Sequence, residues 1–365
     1  MKFAFITATP QNSQSGSGTF VGNARLMDAL RGMGHGVDVI VPKSTTGKLG
    51  YTAHRFGWNW RLHARDFDGY DVVVGLDMDG YTIAHRTRAP FVAYIHGIIA
   101  DEATFERGAV RTSLELQARA ERVSVHRAAL VLTTSQYSVK RLSALYGLPI
   151  QQIHAVPPPI DVRAWDAACA ALSVVPAARP TILCVGVQYP RKNVALLICA
   201  AALLRNEFPA LDVRIASAGP EWRNLRALTQ ALGLQGTVSF LGHVPFEHLV
   251  MEYMQCTLFC LPSLQEGWGL VFAEAMASRK PVVASRSTST PEVIEHGVSG
   301  LLSAPNDAAD LARNIAAVLR DPNLARRLGE AGRARAEQFD AQVIARQFLD
   351  VVQPSSVVRN TGFRG

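Results

Sequence analysis

The chain has 365 residues, 48% hydrophobic and 18% charged, with a net charge of +7. That length exceeds one ordinary core and points to two globular domains. No apolar run approaches the ~20 residues of a bilayer span.

The excess charge lies mainly at the front. Residues 1–165 carry 18 Lys+Arg against 13 Asp+Glu, leaving 19 against 17 for the remainder. An anionic partner or peripheral contact with a membrane surface fits that side, and so does a plain solvated basic surface. No recognition helix, zinc-finger spacing or aromatic RNA-binding pattern is visible, so a nucleic-acid partner is not expected. The apolar start, residues 1–7, is too short for a signal-peptide core and reads as a first buried strand. Cys169, Cys184, Cys199, Cys256 and Cys260 form no C-x-x-C pair and read as core thiols of a cytoplasmic protein.

In chain order, the pattern predicts strands at 3–6, 37–41, 72–75, 91–95 and 130–133, with helices at 20–31, 111–127 and 136–145. The style then repeats. Strands are predicted at 182–185, 213–216, 238–240, 258–261 and 282–284, and helices at 194–206, 221–232, 270–278, 308–320, 323–338 and 341–352. Alternating strand and helix implies parallel sheets covered on both faces, with ligands at the carboxyl ends of the strands. Pro157, Pro158 and Pro159 interrupt the alternation and mark a seam.

Four loops follow the strand–loop–helix pattern that aims backbone N–H groups at an anion. Ser15-Gly16-Ser17-Gly18-Thr19 is the first, with Gly22 beyond it. Its spacing misses the dinucleotide fingerprint because Val21 stands at the third glycine position, and the second strand leads into Pro42-Lys43 with no acid for a ribose. Read alone, it is equally a helix cap. Tyr94-Ile95-His96-Gly97 places a histidine at a strand end, where it can meet a ligand or stay structural. In Gly186-Val187-Gln188-Tyr189-Pro190-Arg191-Lys192-Asn193, two cations stand at a helix start. They oppose the helix dipole there, so a phosphate explains them better than stability does.

The fourth loop, Pro262 to Ala277, is the most informative. Glu266 borders Gly267-Trp268-Gly269, and Glu274 lies in the predicted helix after it. A carboxylate accepts hydrogen bonds from vicinal hydroxyls, so two of them around a helix N-terminus suit a nucleotide sugar. Gly242-His243-Val244 is a further strand end whose backbone could read a base. Asp77-Met78-Asp79 resembles a metal pair, but two acids alone read better as a loop or cap, and no metal is assigned.

Taken together, these residues resemble the retaining glycosyltransferases of family 4. The E-x7-E segment, with Lys280-Pro281-Val282 and Thr290-Pro291-Glu292 after it, is the most specific part. The resemblance implies an α/β GT-B fold, with two Rossmann-like doubly wound domains facing across a cleft and a C-terminal helix crossing back. It implies an acceptor-binding domain at 1–165, a nucleotide-sugar-binding domain at 166–340, the returning helix at 341–353 and a flexible tail at 354–365. It implies retaining transfer of a hexose-type sugar from a UDP- or GDP-linked donor to an acceptor hydroxyl. The acceptor would be a saccharide, a lipid-linked compound or a small molecule, and neither metal nor cofactor is implied. The catalytic set would be His96, Glu266, Lys192 and Arg191. Donor binding would fall to Gly16, Gly18, Gly219, Gly242, His243, Val244, Trp268, Gly269, Leu270 and Glu274.

Two features depart from the family. Val187 stands where many members have arginine, a charge Arg191 could supply, and the linker reads Pro-Pro-Pro-Ile-Asp instead of Pro-Asn-Gly-Ile-Asp. A sugar-nucleotide epimerase or a phosphorylase on the same fold is the alternative enzyme. An inactive interaction module would need broken donor residues, and none is missing.

Overall fold

The computed structural model describes residues 1–9, 18–43, 50–172 and 177–353. Gly16 and the expected flexible tail lie outside the described residues. The chain forms two compact units, Met1–Pro159 with Ala341–Gly365, and Ile160–Asp340.

The first unit contains β1 (Lys2–Ile6), α1 (Gly18–Gly32), β2 (Gly36–Ile40), α2 (Gly50–Arg61), β3 (Val72–Leu76), β4 (Phe91–Ile95), α3 (Ile99–Glu102), α4 (Gly108–Arg127), β5 (Leu130–Thr133), α5 (Gln136–Tyr146) and β6 (Ile153–Ala155). The six strands form one parallel sheet in the order β2-β1-β3-β4-β5-β6. β3 and β4 are buried at every position, as parallel strands covered on both faces must be.

Side-chain alternation divides the core of this unit. Phe3, Phe5, Val72, Val74, Val92 and Tyr94 face one side, while Ala4, Ile6, Val73, Phe91, Ala93 and Ile95 face the other. The chain returns to the first side at its end. In α14 (Ala341–Val352), Phe348 is fully buried, its ring centroid 5.9 Å from Phe3, 6.1 Å from Phe5 and 6.4 Å from Tyr94. The helix therefore completes a core that the N-terminal segment leaves uncovered.

The second unit contains α6 (Val162–Ala170), β7 (Thr181–Val185), α7 (Val194–Leu204), β8 (Asp212–Ala216), α8 (Trp222–Ala231), β9 (Val238–Gly242), α9 (Phe246–Gln255), β10 (Leu258–Leu261), α10 (Leu270–Ala277), β11 (Val282–Ser285), α11 (Thr290–Val293), β12 (Leu301–Ser303), α12 (Ala308–Arg320) and α13 (Pro322–Glu337). Its parallel sheet runs β12-β11-β10-β7-β8-β9. α6 belongs here because Trp165, 1% exposed, packs edge-on against Tyr253 at 5.5 Å and donates its indole N–H to Ser278 at 2.8 Å. Ile160 and Asp340, at the two ends of this unit, form a parallel bridge.

Strand order fixes where a ligand can sit. After β7 the chain moves to one side through β8 and β9, then crosses to the other through β10, β11 and β12. The direction reverses between β7 and β10, and a crevice opens beyond their carboxyl ends. In the first sheet the corresponding reversal lies between β1 and β3. Among the described residues, no helix is long and apolar enough to cross a membrane.

Candidate active site

The loops after β7 and β10, the two strands at the second reversal, carry the charged residues. The first runs through Gln188, fully buried, to a single 3-10 turn at Pro190–Lys192. Asn193 follows with φ +52, so the chain bends sharply before α7 and the cations stay outside the regular helix. Arg191 holds its guanidinium 5.4 Å from the Tyr189 ring centroid, and its carbonyl accepts the Leu264 N–H at 2.8 Å. That backbone bond ties the two loops together.

Across the loops, Lys192 Nζ lies 2.5 Å from Glu266 Oε1. Ser263 donates its hydroxyl to the same oxygen at 2.8 Å. The Glu266 N–H donates to Thr288 Oγ1 at 3.0 Å, and the Glu266 carbonyl accepts from Ser289 at 3.0 Å. The residue is 4% exposed. Burial pushes its carboxyl up, but the charges of Lys192 and Arg191, with hydrogen bonds from Lys192 and Ser263, outweigh that and hold it below the ordinary carboxylate range. Glu266 is therefore an ionised carboxylate in a site with little water around it.

The chain enters α10 through Gly269, at φ +88. A Cβ there would stand 2.5 Å from the Phe272 ring, so only glycine fits this turn. Trp268 is anchored edge-on to Phe339 at 4.8 Å, and its indole N–H is buried with no partner among the described residues. Leu270 opens the helix; the Phe272 N–H of its first turn donates to the Gly269 carbonyl at 2.9 Å, and the N–H groups before it have no intrahelical acceptor. One turn on, Glu274 is 7% exposed, and Tyr253 donates its hydroxyl to Oε2 at 3.2 Å.

The loops after β8 and β9 interlock beside these. Gly219 approaches the Gln188 backbone so closely that a Cβ would lie 2.5 Å from its nitrogen. Ser217, at φ +82, donates its N–H to the Gly242 carbonyl at 2.6 Å. That carbonyl is thus occupied by its neighbour loop, a limit on the expected base-reading role of Gly242. His243 is exposed and Val244 half-buried.

The first unit carries a second group of residues. Gly18 is the first residue of α1. Gly22, one turn further, faces Pro158, whose Cβ would come within 2.9 Å of an added Cβ. His96 follows β4 and is 7% exposed. Its ring is tilted by 38° against Tyr94 with centroids 4.2 Å apart, its backbone N–H donates to Asp77 Oδ1 at 2.9 Å, and ring Nδ1 lies 3.7 Å from that oxygen. Both ring nitrogens are buried with no hydrogen-bond partner among the described residues.

Asp77, which the sequence offers only as half of a metal pair or as a loop cap, is the residue that holds His96. Burial raises its carboxyl, while the His96 ring and amide and the Arg55 charge bring it below the ordinary range. Asp79, its companion in the metal-pair reading, is spoken for. It takes the Arg55 guanidinium through both oxygens at 2.9 Å, the Asn59 amide at 2.9 Å and the Ala8 N–H at 2.6 Å. Among the described residues, no group of three or more His, Cys, Asp or Glu side chains is placed to hold a metal. The serine and threonine partners of Glu266 were also not legible, since nothing in their spacing distinguishes them.

Backbone strain collects at these loops. Six described non-glycine residues have positive φ, and four of them, Asp77, Asn193, Ser217 and Thr288, adjoin the residues above. Such conformations persist where surrounding contacts enforce them, commonly at functional sites.

Residues 16–164 match the family described as Glycosyltransferase Family 4, and residues 173–335 match Glycosyl transferases group 1. The chain belongs to glycosyltransferase family 4. A D-inositol 3-phosphate glycosyltransferase of Nocardia farcinica is 30% identical over 71% of this chain and 60% of its own length. An exopolysaccharide phosphotransferase of Streptomyces coelicolor is 38% identical over 44% of this chain, but over only 17% of its own length. The chain thus spans less than two thirds of these curated relatives. Among solved structures, a sucrose-phosphate synthase from Thermosynechococcus elongatus superposes with a TM-score of 0.82 at 23% identity, covering 96% of this chain and 98% of that one. The Anabaena protein HepE, solved in complex with UDP-glucose, superposes with a TM-score of 0.72 at 21% identity, covering 96% and 99%. The fold of this family 4 member is GT-B.

Proposed function

We propose that this family 4 member is a retaining glycosyltransferase that moves a hexose-type sugar from a UDP- or GDP-linked donor to an acceptor hydroxyl, in polysaccharide, glycolipid or other glycoconjugate synthesis. The observation that carries the reading is the Lys192–Glu266 pair at the strand reversal, with Arg191 beside it and Glu274 one helical turn beyond the Gly269 bend. Support comes from the relatives, one named for glycosyl transfer and one solved with UDP-glucose.

In this reading Glu274 accepts hydrogen bonds from the nucleotide ribose. The α10 N-terminus, Arg191 and Lys192 face the diphosphate, where negative charge builds as the sugar departs. An ammonium carries three hydrogens, so donor arrival re-divides the Lys192 charge between Glu266 and the diphosphate. Preorganised contacts of this kind are worth about 2.7–4 kcal/mol each in the transition state. Glu266, ionised and buried, holds sugar hydroxyls and offsets positive charge developing on the ring. On the first unit, His96, whose Nε2 is buried with no hydrogen-bond partner among the described residues, meets a ligand hydroxyl. Attack comes on the face the diphosphate leaves, and a leaving-group oxygen takes the acceptor proton. Arg191 and Lys192 fill the charge-neutralising role that a metal fills elsewhere. The protein works in the cytoplasm or at the inner face of its membrane, with its acceptor on the first unit.

Calorimetric titration with UDP-glucose and GDP-mannose tests this. Glu274→Ala should weaken the better donor about tenfold or more, the value of one hydrogen bond to a charged group. Unchanged affinity, with a wild-type unfolding curve, would overturn the assignment.

A further inference from the structure

The first unit has a cavity of about 620 Å³ at the carboxyl end of β2, unclaimed by the residues discussed above. Its size falls within the ~300–1,000 Å³ of small-molecule sites. The walls come from two elements. The strand continues through Val41 and Pro42 to Lys43. From α2 come His54, Trp58 and Arg61, spaced i, i+4 and i+7 and so on one helical face. The neighbouring face of α2 presents Arg55 and Asn59 to Asp79, which fixes the helix and aims this stripe at the strand end.

The chemistry of the walls is one-sided. Four of the ten lining residues are basic, and none is acidic. Arg65 lies exposed at the rim. Lys43 and Arg61 are exposed, and neither is ion-paired among the described residues. His54 has its Nε2 buried with no hydrogen-bond partner among the described residues. Trp58, 8% exposed, and Val41, 40% exposed, supply apolar surface beside these cations. Unpaired cations around a concavity, with a buried unsatisfied nitrogen and an aromatic wall, match an anion attached to a less polar body.

We propose that this cavity binds a phosphate ester. Lys43 and Arg61 neutralise the phosphate, His54 Nε2–H donates to one of its oxygens, and the ester's carbon portion lies against Val41 and Trp58. The binding site stands on the first unit alone. Its use as the anchor of the transfer acceptor rests on the glycosyltransferase reading above. That use explains why the second strand leads into Pro42-Lys43.

Two probes separate the sources of such a phosphate. Glycerol 3-phosphate represents a soluble ester, and vesicles of phosphatidylcholine doped with phosphatidylglycerol represent a lipid headgroup. Glycerol and vesicles of pure phosphatidylcholine, which is zwitterionic with no net charge, are the controls. The full chain, Lys43→Ala/Arg61→Ala and His54→Gln are titrated with both probes and with UDP-glucose. Wild-type protein should bind one probe and ignore its control, with affinity falling as salt rises. The double variant should lose about tenfold or more of that affinity. UDP-glucose binding should stay at the wild-type level in every variant, and a wild-type urea-unfolding curve shows that the variants fold. Binding of neither probe, or equal binding by the double variant, overturns the site. If phosphate binding behaves as stated but no nucleotide sugar binds, the transfer reading fails and the site survives.

Discussion

Lys192 and Glu266 are 74 positions apart in sequence, yet Nζ lies 2.5 Å from Oε1, with only 14% and 6% of the two side chains exposed. Removing one member of such a pair leaves a charge buried without its main partner. Lys192→Ala should therefore destabilise the second unit by about 3–5 kcal/mol, read from urea unfolding. It should also lower turnover by about 10²–10³. Lys192→Ala/Glu266→Ala should cost less than the two single changes added together. Additive costs would show that the pair is not coupled.

The same pair sets a pH dependence. Glu266 is held below its ordinary range, so the folded state binds its proton less readily than the unfolded chain. Its stabilisation is fully present above the unfolded value of about 4.3 and is lost as pH falls through the folded value. Thermal unfolding on the acid side should show a steeper loss for wild type than for Glu266→Gln. Parallel curves would refute the low value.

Glu121 in α4 has the opposite sign. It is fully buried, and its Oε2 accepts the Tyr146 hydroxyl at 2.5 Å and the Ile99 N–H at 3.0 Å. Burial above all pushes its carboxyl well above the ordinary range. The folded state then keeps a proton the unfolded chain releases, so stability falls as pH rises from about 4.3 toward the folded value. Glu121→Gln keeps an acceptor for both donors and removes the titration. Its melting temperature should gain on wild type as pH rises above about 4.3. A constant difference would mean that Glu121 is already ionised.

The second-unit motif was legible because its chemistry is local. Gly269 and Glu274 sit within one strand–loop–helix passage, where glycine and carboxylate spacing carry the meaning. The role of Asp77 was not legible, because its partner His96 arrives from another strand and only the β3–β4 pairing brings them together. The helix α2 was missed for a different reason. GYTAHRFGWNWR holds two glycines and several poor helix formers, and its helicity depends on the tertiary grip of Asp79 on Arg55 and Asn59. The strip α9 (FEHLVMEYMQ) likewise gained its shape from packing, with Tyr253 and Val250 fully buried. The Gly242-His243-Val244 loop was foreseen as a backbone site, but the contact of its first carbonyl with Ser217 depends on an irregular register between β8 and β9.

Asp77 holds the His96 backbone and stands 3.7 Å from its ring, so it is a positioning residue. It also adopts φ +54, a conformation that asparagine and aspartate tolerate better than alanine. Asp77→Ala should lower kcat about tenfold and destabilise the first unit by about 1–3 kcal/mol, through the lost acceptor. Asp77→Asn keeps an acceptor oxygen and should recover most of both. If asparagine is as damaging in turnover as alanine while restoring stability, the carboxylate charge acts directly and positioning is the wrong account.

Gly269 is the bend that separates the two glutamates. Its φ of +88 and the Phe272 ring 2.5 Å from an added Cβ act against any side chain. Gly269→Ala must either displace Phe272, which is fully buried, or shift the start of α10. Left-handed strain contributes about 1–2 kcal/mol and overpacking a further ~1–3 kcal/mol. A shift of the helix start moves Leu270 N–H relative to Glu266, so donor affinity should fall together with stability. The neighbouring change Trp268→Phe retains the contact with Phe339 and should keep the fold while removing the buried indole N–H. Calorimetry with UDP-glucose on both variants separates the effects. Loss of affinity in Gly269→Ala, with Trp268→Phe close to wild type, places the function of this loop in its backbone. Equal loss in both would assign a share of donor binding to the indole.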